Sequence, residues 1–561
     1  MYITKILIKN FKSIKEIDII PNRGLNVFIW ENSTWKSNIF KALDWVLWKS
    51  YPTFNQVSKE DHFMWDYGNK IQIIVEFSDW MVFWLNENEE KYKFKMSKNW
   101  NNSFNDDSRK IYCCAYLDTK REINDYMPSN KWTLIWRILQ EVNHQFSEES
   151  ITINWETKEK KEFLRDWLWI VKSTLLFSVK NSNWDNVMGK LSQIIQKETS
   201  QQLNREEDEL SIDFNLYDPW NFYRTLQITV KEENGLEFQA WKLWMWVQAS
   251  ISIAILKAYS ELNLTNNSPI IIDEPELYLH PQAQRNFYNI LNKVSQDDDW
   301  KEWTQIFYTT HSPNFLNLWA FNEVFIVRKC KDEWTYIKYW DIQKFTKDLK
   351  IRTWINSSIE DFLLHTKNAY EETWDSQASN EAFFWKKIIL VEGQSESLVL
   401  PYLFKVAWYN YTKEGVTIVR CWCKNEIDRF YRVYNEFWIP CYVIFDWDIH
   451  NKWTGDESDT IKKNKLLFSL LDSDSWKDFP DNWVKDKYLW FKETLEKNLW
   501  FWTNKKWLAL YKEVRKNITV DNLPSWVCEI IEKIKNLDQW WVDSVLITEY
   551  NQSSEWEILP F

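Results

Sequence analysis

The sequence predicts an α/β chain in two parts, and three observations predict it. An apolar strand, Leu25–Trp30, runs through a short loop into "KSNIFKALDWVL", which has helical spacing. Two later apolar runs, "PIIIDE" and "IFYTTHSP", end in acids and in a histidine. Beyond residue 384, "KKIILVEG", "VTIVR" and "CYVIFDWD" are buried-type strands separated by helix-like segments, the alternation that builds a parallel sheet.

The elements follow in order. The opening "MYITKILIKNFKSIKEIDII" alternates apolar and polar residues over two short segments and predicts a hairpin. Residues near 71–117 give more strand-like alternation, as in "KIQIIVEF". About residues 131–210 turn helical and charged, with "LIWRILQEV" and "KLSQIIQKE" as amphipathic pieces, and are expected to form a helical insertion or dimerisation arm. Strand signals return at "LQITVKE" and "PIIIDE". The polar stretch 346–383 lacks apolar periodicity and is expected to be a linker. It separates a first domain, 1–345, from a second, 384–561, that closes in a helical extension.

Composition narrows the classes. An ordinary chain at roughly 7% Gly would hold about 39 glycines here; this one holds 7, against 41 tryptophans. Many of those tryptophans stand where turn chemistry asks for glycine, as in "EFWIPCY" between a helix-like run and an apolar strand. We read this as UGA codons, which specify glycine in some bacterial lineages, rendered as tryptophan; UGG at codons 30 and 35 would exclude it. A net charge of −12 argues against a basic surface that coats nucleic acid, though not against an enzyme with a local basic groove or bound metal ions. Seven cysteines without repeated C-x-x-C pairs suggest a reduced, cytoplasmic protein. Cys421 and Cys423 lie close, but no further ligands follow at zinc spacing. With no charged-then-apolar leader and no run of 18 apolar residues, no membrane association is expected.

The loop after the first-domain strand reads "IWENSTWKSNI". It has the frame of a phosphate-binding loop, G-x-x-x-x-G-K-[ST], with Trp30 and Trp35 at the glycine positions. Asn32, Ser33 and Thr34 would wrap the phosphates of ATP, Lys36 would reach its β- and γ-phosphates, and Ser37 would ligate Mg²⁺. In "PIIIDEPELYLHP" the strand ends in Asp273, placed to hold Mg²⁺ through water, and Glu274, placed to polarise the attacking water. His311, after the next strand, suits a switch group at the γ-phosphate. "WKLWMWVQASISIAIL" (Trp241–Leu256), read with glycine, is a flexible turn opening a helix whose N-terminus can bind phosphate.

In the second domain, "IILVEGQSESLVLPYL" puts Glu392 at a strand end with Glu396 four residues on, and "YVIFDWDIHN" puts Asp446 and Asp448 at another. Strand residues two apart share a face, so two carboxylates can converge on one cation. Oxygen-rich sites of this kind hold Mg²⁺, or Mn²⁺, and a pair of such ions can activate water against a phosphodiester. Lys485–Lys516 carries nine Lys/Arg against four Asp/Glu, with Phe491, Phe501 and Tyr511 interleaved, which suits a DNA backbone or a solvated helix face. Glu493 or Glu496 is a candidate for completing the metal site, and Lys505 or Lys506 for steadying the transition state.

The four first-domain motifs, in this order, resemble the ABC-type ATPase heads of the RecF, SMC and OLD (overcoming lysogenisation defect) families; "IKNFKSI" resembles theirs too, and "DEPELYLHP" is typical of the OLD-like branch. E-G-x-x-E followed by D-x-D resembles the Toprim fold. Head followed by Toprim is the architecture of OLD-family ATP-dependent nucleases. The resemblance implies metal-dependent cleavage of DNA controlled by ATP, with divalent metal at both sites and Glu392, Asp446 and Asp448 as nuclease ligands. It implies a homodimer or higher homo-oligomer sandwiching ATP, allows a helicase partner, and points to phage defence or DNA repair. The alternative is a RecF-like DNA-binding ATPase or repair scaffold with a non-catalytic Toprim domain.

Overall fold

The computed structural model describes residues 2–30, 37–47, 57–87, 92–98, 114–117, 150–153, 156–159, 229–231, 237–239, 269–295, 304–329, 335–339, 376–447, 484–492, 494–499 and 507–537, with a few isolated positions between them. Strands β1 (Ile3–Phe11) and β2 (Ile14–Ile19) form the expected hairpin, with Ile8 opposite Ile17. Strand β3 (Leu25–Trp30) leads into α1 (Ser37–Leu47), whose Phe40, Leu43 and Leu47 are buried. Strands β4 (Gln72–Phe77), β5 (Met81–Glu87) and β6 (Tyr92–Lys98) complete an antiparallel sheet in the order β2-β1-β4-β5-β6. The inward Ile73, Val75 and Phe77 of β4 alternate with half-buried residues, as a sheet with one covered face requires.

Next come β7 (Ala115–Leu117), β8 (Ser150–Ile153), β9 (Glu156–Glu159), β10 (Thr229–Lys231) and β11 (Glu237–Gln239). The antiparallel pair β8–β9 corrects the helical reading of 131–210 at that point. "SITI" alternates with period two, a pattern too short to show within a wider helical window. The amphipathic pieces of that reading lie outside the described residues.

Strand β12 (Ile270–Ile272), helix α2 (Pro281–Ser295), and strands β13 (Ile306–Thr309), β14 (Val324–Lys329) and β15 (Thr335–Tyr339) build the second sheet, in the order β15-β14-β3-β13-β12-β7. It is parallel except for β15 at its edge. All residues of β12 and β13 are buried, because elements cover both faces.

The polar stretch expected to be a plain linker ends in a helix, α3 (Ser376–Ala382). Its buried positions are Ser379, Asn380 and Ala382, too small or too polar to register as an apolar stripe. Strand β16 (Lys387–Val391), α4 (Gln394–Val406), β17 (Val416–Arg420), α5 (Lys424–Glu436), β18 (Cys441–Asp446) and β19 (Tyr488–Phe491) form a parallel sheet in the order β17-β16-β18-β19. Helices α6 (Leu495–Asn498), α7 (Trp507–Asn517) and α8 (Ser525–Asn536) follow. Lys387, buried at the start of β16, donates from Nζ to the carbonyls of Ile534 and Lys535 at 2.9 Å each, closing the C-terminus of α8.

One apolar cluster runs from β3, β12 and β13 through Phe315 and Phe383 to β16, β18 and α5, so the two parallel sheets share a core. Among the described residues no helix is long and apolar enough to cross a membrane. Among the described residues, Cys421, Cys423, Cys441 and Cys528 are free thiols.

The backbone at several tryptophans is that of glycine. Trp65, Trp80, Trp408, Trp422 and Trp438 all have φ between 56° and 67°, the left-handed region. Helix α4 ends with Trp408 N–H on Lys405 O at 3.1 Å and Tyr409 N–H on Phe404 O at 2.8 Å. Helix α5 ends with Trp438 N–H on Asn435 O at 2.9 Å and Ile439 N–H on Tyr434 O at 3.0 Å. Both are Schellman motifs, whose left-handed position is ordinarily glycine. Trp80 closes the three-residue β4–β5 loop at its left-handed position.

Candidate functional site

The first site forms where β3, β13 and β12 end side by side in the parallel sheet, the edge at which such sheets bind ligands. Asp273, 3% exposed, follows β12, and its Oδ1 accepts from the Thr309 hydroxyl at 2.5 Å. The same hydroxyl oxygen accepts from Glu274 N–H at 2.9 Å, so one threonine on β13 fixes both acids. Glu274 sits at φ 48°, a left-handed conformation held by that bond. His311 Nε2 is 3.8 Å from Glu274 Oε1. The structure therefore brings Asp273, Glu274 and His311 together at one sheet edge. Lys36, Asn32, Ser33, Thr34 and Trp35 lie outside the described residues; Ser37 begins α1, which follows β3 into the same edge. Most of Trp241–Leu256 also lies outside.

Sequence reasoning missed Glu276. Its carboxylate accepts from His311 N–H at 2.5 Å through Oε1 and from the Thr310 hydroxyl at 2.9 Å through Oε2. Burial pushes its pKa up against the pull of those two donors. The signal was available as a second acid two residues beyond Glu274, but nothing local says that it turns inward.

The second site lies at the same edge of the second parallel sheet. Glu392 follows β16, Asp446 ends the neighbouring β18, and Glu392 Oε2 accepts from Asp446 N–H at 3.2 Å. Glu396, 5% exposed in the first turn of α4, folds back so that Oε2 accepts from Gly393 N–H at 3.0 Å. A Cβ at position 393 would stand 3.0 Å from that oxygen, so glycine here leaves the carboxylate its place. Glu496 on α6 accepts from the Ser395 hydroxyl at 2.9 Å. Burial, then the charges of Glu392 and Glu496, push the Glu396 carboxyl up to about 7. Asp448, Glu493, Lys505 and Lys506 lie outside the described residues. Trp447 lies in the core with its ring 5.5 Å from that of Trp490.

The donors at both sites are oxygens, the set that suits Mg²⁺ or Mn²⁺ rather than softer metals. Among the described residues no three acidic, histidine or cysteine side chains already stand at metal-holding distance. The crowding of negative charge around Glu396 is what a divalent cation would relieve.

Residues 1–99 and 84–316 match the AAA ATPase domain family, and residues 383–448 match the Toprim domain of overcoming-lysogenization-defect-like proteins. The chain is 25% identical over 479 residues to the OLD nuclease of Thermus scotoductus, covering 81% of this chain and 83% of that protein. It is 25% identical over 236 residues to the Old nuclease of Escherichia phage P2, covering 40% of this chain and 37% of that one. Among solved structures, the SMC head domain from Thermotoga maritima matches 61% of this chain and all of its own at 14% identity, with a TM-score of 0.32.

Proposed function

The chain belongs to the AAA ATPase domain family and carries an OLD-like Toprim domain behind it, and from that premise we infer that it is an ATP-controlled, divalent-metal-dependent nuclease of the OLD type. DNA is its substrate, and a second copy of the chain completes each ATP site. The observation that carries the nuclease reading is the meeting of Glu392 and Asp446 on adjacent parallel strands, with Glu396 and Glu496 beside them.

In the ATPase half, Lys36 and Ser37 would take the phosphates and their Mg²⁺, and Asn32, Ser33 and Thr34 would contribute to the phosphate loop. Asp273 would hold the ion through water, Glu274 would orient the attacking water, and His311 would sense the γ-phosphate. Thr309 keeps the two acids in register. In the Toprim half, Glu392, Glu396, Asp446 and Asp448 would hold the cations, with Glu496 closing the ring. Bound divalent cations there supply a lowered water pKa and charge stabilisation at the leaving oxygen. The protein's own share is to fix carboxylate positions on rigid strand ends.

The test uses the full chain with glycine restored at 30, 35 and 447, incubated with supercoiled plasmid and Mg²⁺ or Mn²⁺. Cleavage that Asp446→Ala abolishes is the expected result. Intact plasmid beside measurable ATP hydrolysis would instead make the protein a DNA-binding ATPase with a silent Toprim domain.

A further inference from the structure

We propose that the loop from Thr310 to Leu316 couples the nucleotide site to the nuclease sheet, and that Asn380 is the positioning residue on which this coupling turns. The inference rests on the two-site reading above and concerns how one site governs the other.

The loop is held at both ends by side chains from different parts of the chain. On the nucleotide side, the Glu276 carboxylate ties the backbone of His311 and the hydroxyl of Thr310 to the turn that carries Asp273 and Glu274. The Gln284 Oε1 on α2 takes the Ser312 hydroxyl at 2.8 Å and the Asn314 amide at 3.0 Å. A displacement of His311 is therefore a displacement of the whole loop.

On the Toprim side, Asn380 on α3 donates from Nδ2 to Leu316 O at 2.8 Å, with Pro313 O at 3.5 Å. The carbonyl of the preceding Ser379 accepts from the Tyr434 hydroxyl of α5 at 2.9 Å. Asn380 is 7% exposed and Tyr434 fully buried. Helix α5 packs on β16 and β18, the strands whose ends carry Glu392 and Asp446. Phe383 stands edge-on to Tyr434 and Phe437, with ring centroids at 5.3 and 5.4 Å.

The chemistry of the surroundings gives these two bonds their role. The junction is otherwise a continuous apolar cluster, and apolar contact is non-directional: it favours burial without fixing where one surface sits on the other. A buried amide and a buried phenol each satisfy their partner in one geometry and are costly to leave unmade. They set α3 against the switch loop on one side and against α5 on the other. A loop shift that follows the γ-phosphate must carry α3 and α5 with it or break a buried hydrogen bond. A second tie, Arg328 donating to Trp438 O at 3.2 Å and Trp385 O at 3.4 Å, joins the same halves but does not touch the loop.

Coupling of this kind is reciprocal. In binding, ATP changes the affinity for plasmid and plasmid changes the affinity for ATP by one common factor, roughly 5 to 150 for a coupling of ordinary size; the cleavage rate also responds to ATP, by a factor that need not equal it. The glycine-restored full chain is compared with Asn380→Ala, Tyr434→Phe and Arg328→Ala. Cleavage of supercoiled plasmid in Mg²⁺ is measured with and without ATP, and the KM for ATP hydrolysis with and without plasmid. Thermal midpoints report folding.

The expected result is that Asn380→Ala and Tyr434→Phe keep nucleotide-free cleavage and plasmid-free ATP hydrolysis within about twofold of the parent, while both ratios fall toward one. Arg328→Ala keeps the ratios. Ratios unchanged in Asn380→Ala, or lost equally in Arg328→Ala, would overturn the proposal, the latter by showing that docking alone suffices. Cleavage in the parent that ignores ATP would overturn it while leaving the nuclease reading intact. A parent that hydrolyses ATP but never cuts would sink the nuclease reading, and the plasmid effect on KM would then decide the coupling by the same comparison of variants.

Discussion

Replacing Trp408 with glycine is expected to stabilise this protein, the reverse of what deleting an indole ordinarily does. Trp408 sits at φ 56° and is 88% exposed, so its ring returns almost no burial energy to the fold. The Schellman hydrogen bonds around it are made by backbone and survive the change. Holding an L-residue in the left-handed region costs about 1–2 kcal/mol. Glycine gives back about 0.5–1 kcal/mol through the extra freedom of its unfolded chain. The net gain is about 0.5–1 kcal/mol at this site. Trp80, at φ 66° and 76% exposed, and Trp65, at φ 56° and 62% exposed, offer the same balance. The triple variant should gain about 2 kcal/mol, against a typical point substitution that loses about 1. Trp438 and Trp422 should gain less, since Lys338 Nζ lies 3.2 Å from the first ring and the Arg420 guanidinium 3.5 Å from the second. Urea unfolding of parent and triple variant measures the difference. A lower midpoint for the triple variant would mean that the indoles belong at these positions, and the reading of tryptophan as displaced glycine would fail with it.

Two further predictions concern the Toprim half. Lys387→Met should destabilise the fold by about 2 kcal/mol, because two charge-assisted bonds to the last carbonyls of α8 are lost from a buried position; urea unfolding checks it, and an unchanged midpoint would refute it. The Glu396 carboxyl, pushed up to about 7 from 4.5, binds its proton more tightly in the fold than in the unfolded chain. Its stabilising contribution is therefore complete below pH 4.5 and is lost as pH rises to about 7, a swing of about 3 kcal/mol. Glu396→Gln in chelator-treated protein should accordingly raise stability at pH 8 and leave it nearly unchanged at pH 4.5, and Mg²⁺ should stabilise the parent more than the variant.

Much of the candidate site was legible because strand ends announce themselves. An apolar run of three to six residues that stops at an acid places that acid at a sheet edge whatever the rest of the chain does; Asp273, Glu392 and Asp446 were found in this way. The helical reading of 131–210 is corrected at 150–159, and the linker reading of 346–383 did not show the helix at its end, both places where the signal is weak. The β8–β9 hairpin is four residues a side, and α3 buries a serine, an amide and an alanine rather than a stripe of large apolar residues.

The sequence by itself determined the strongly patterned strands and helices, where the acids at their ends emerge, and turn positions that ask for a glycine-like backbone, because period and turn chemistry are local properties of the chain. Only the tertiary structure decided that β3, β13 and β12 lie side by side, that Thr309 reaches Asp273 across 36 residues, and that Asn380 reaches Leu316 across 64. Those meetings depend on which strands pair and which helix faces pack. Non-directional burial permits many such arrangements, and a few buried hydrogen bonds select among them.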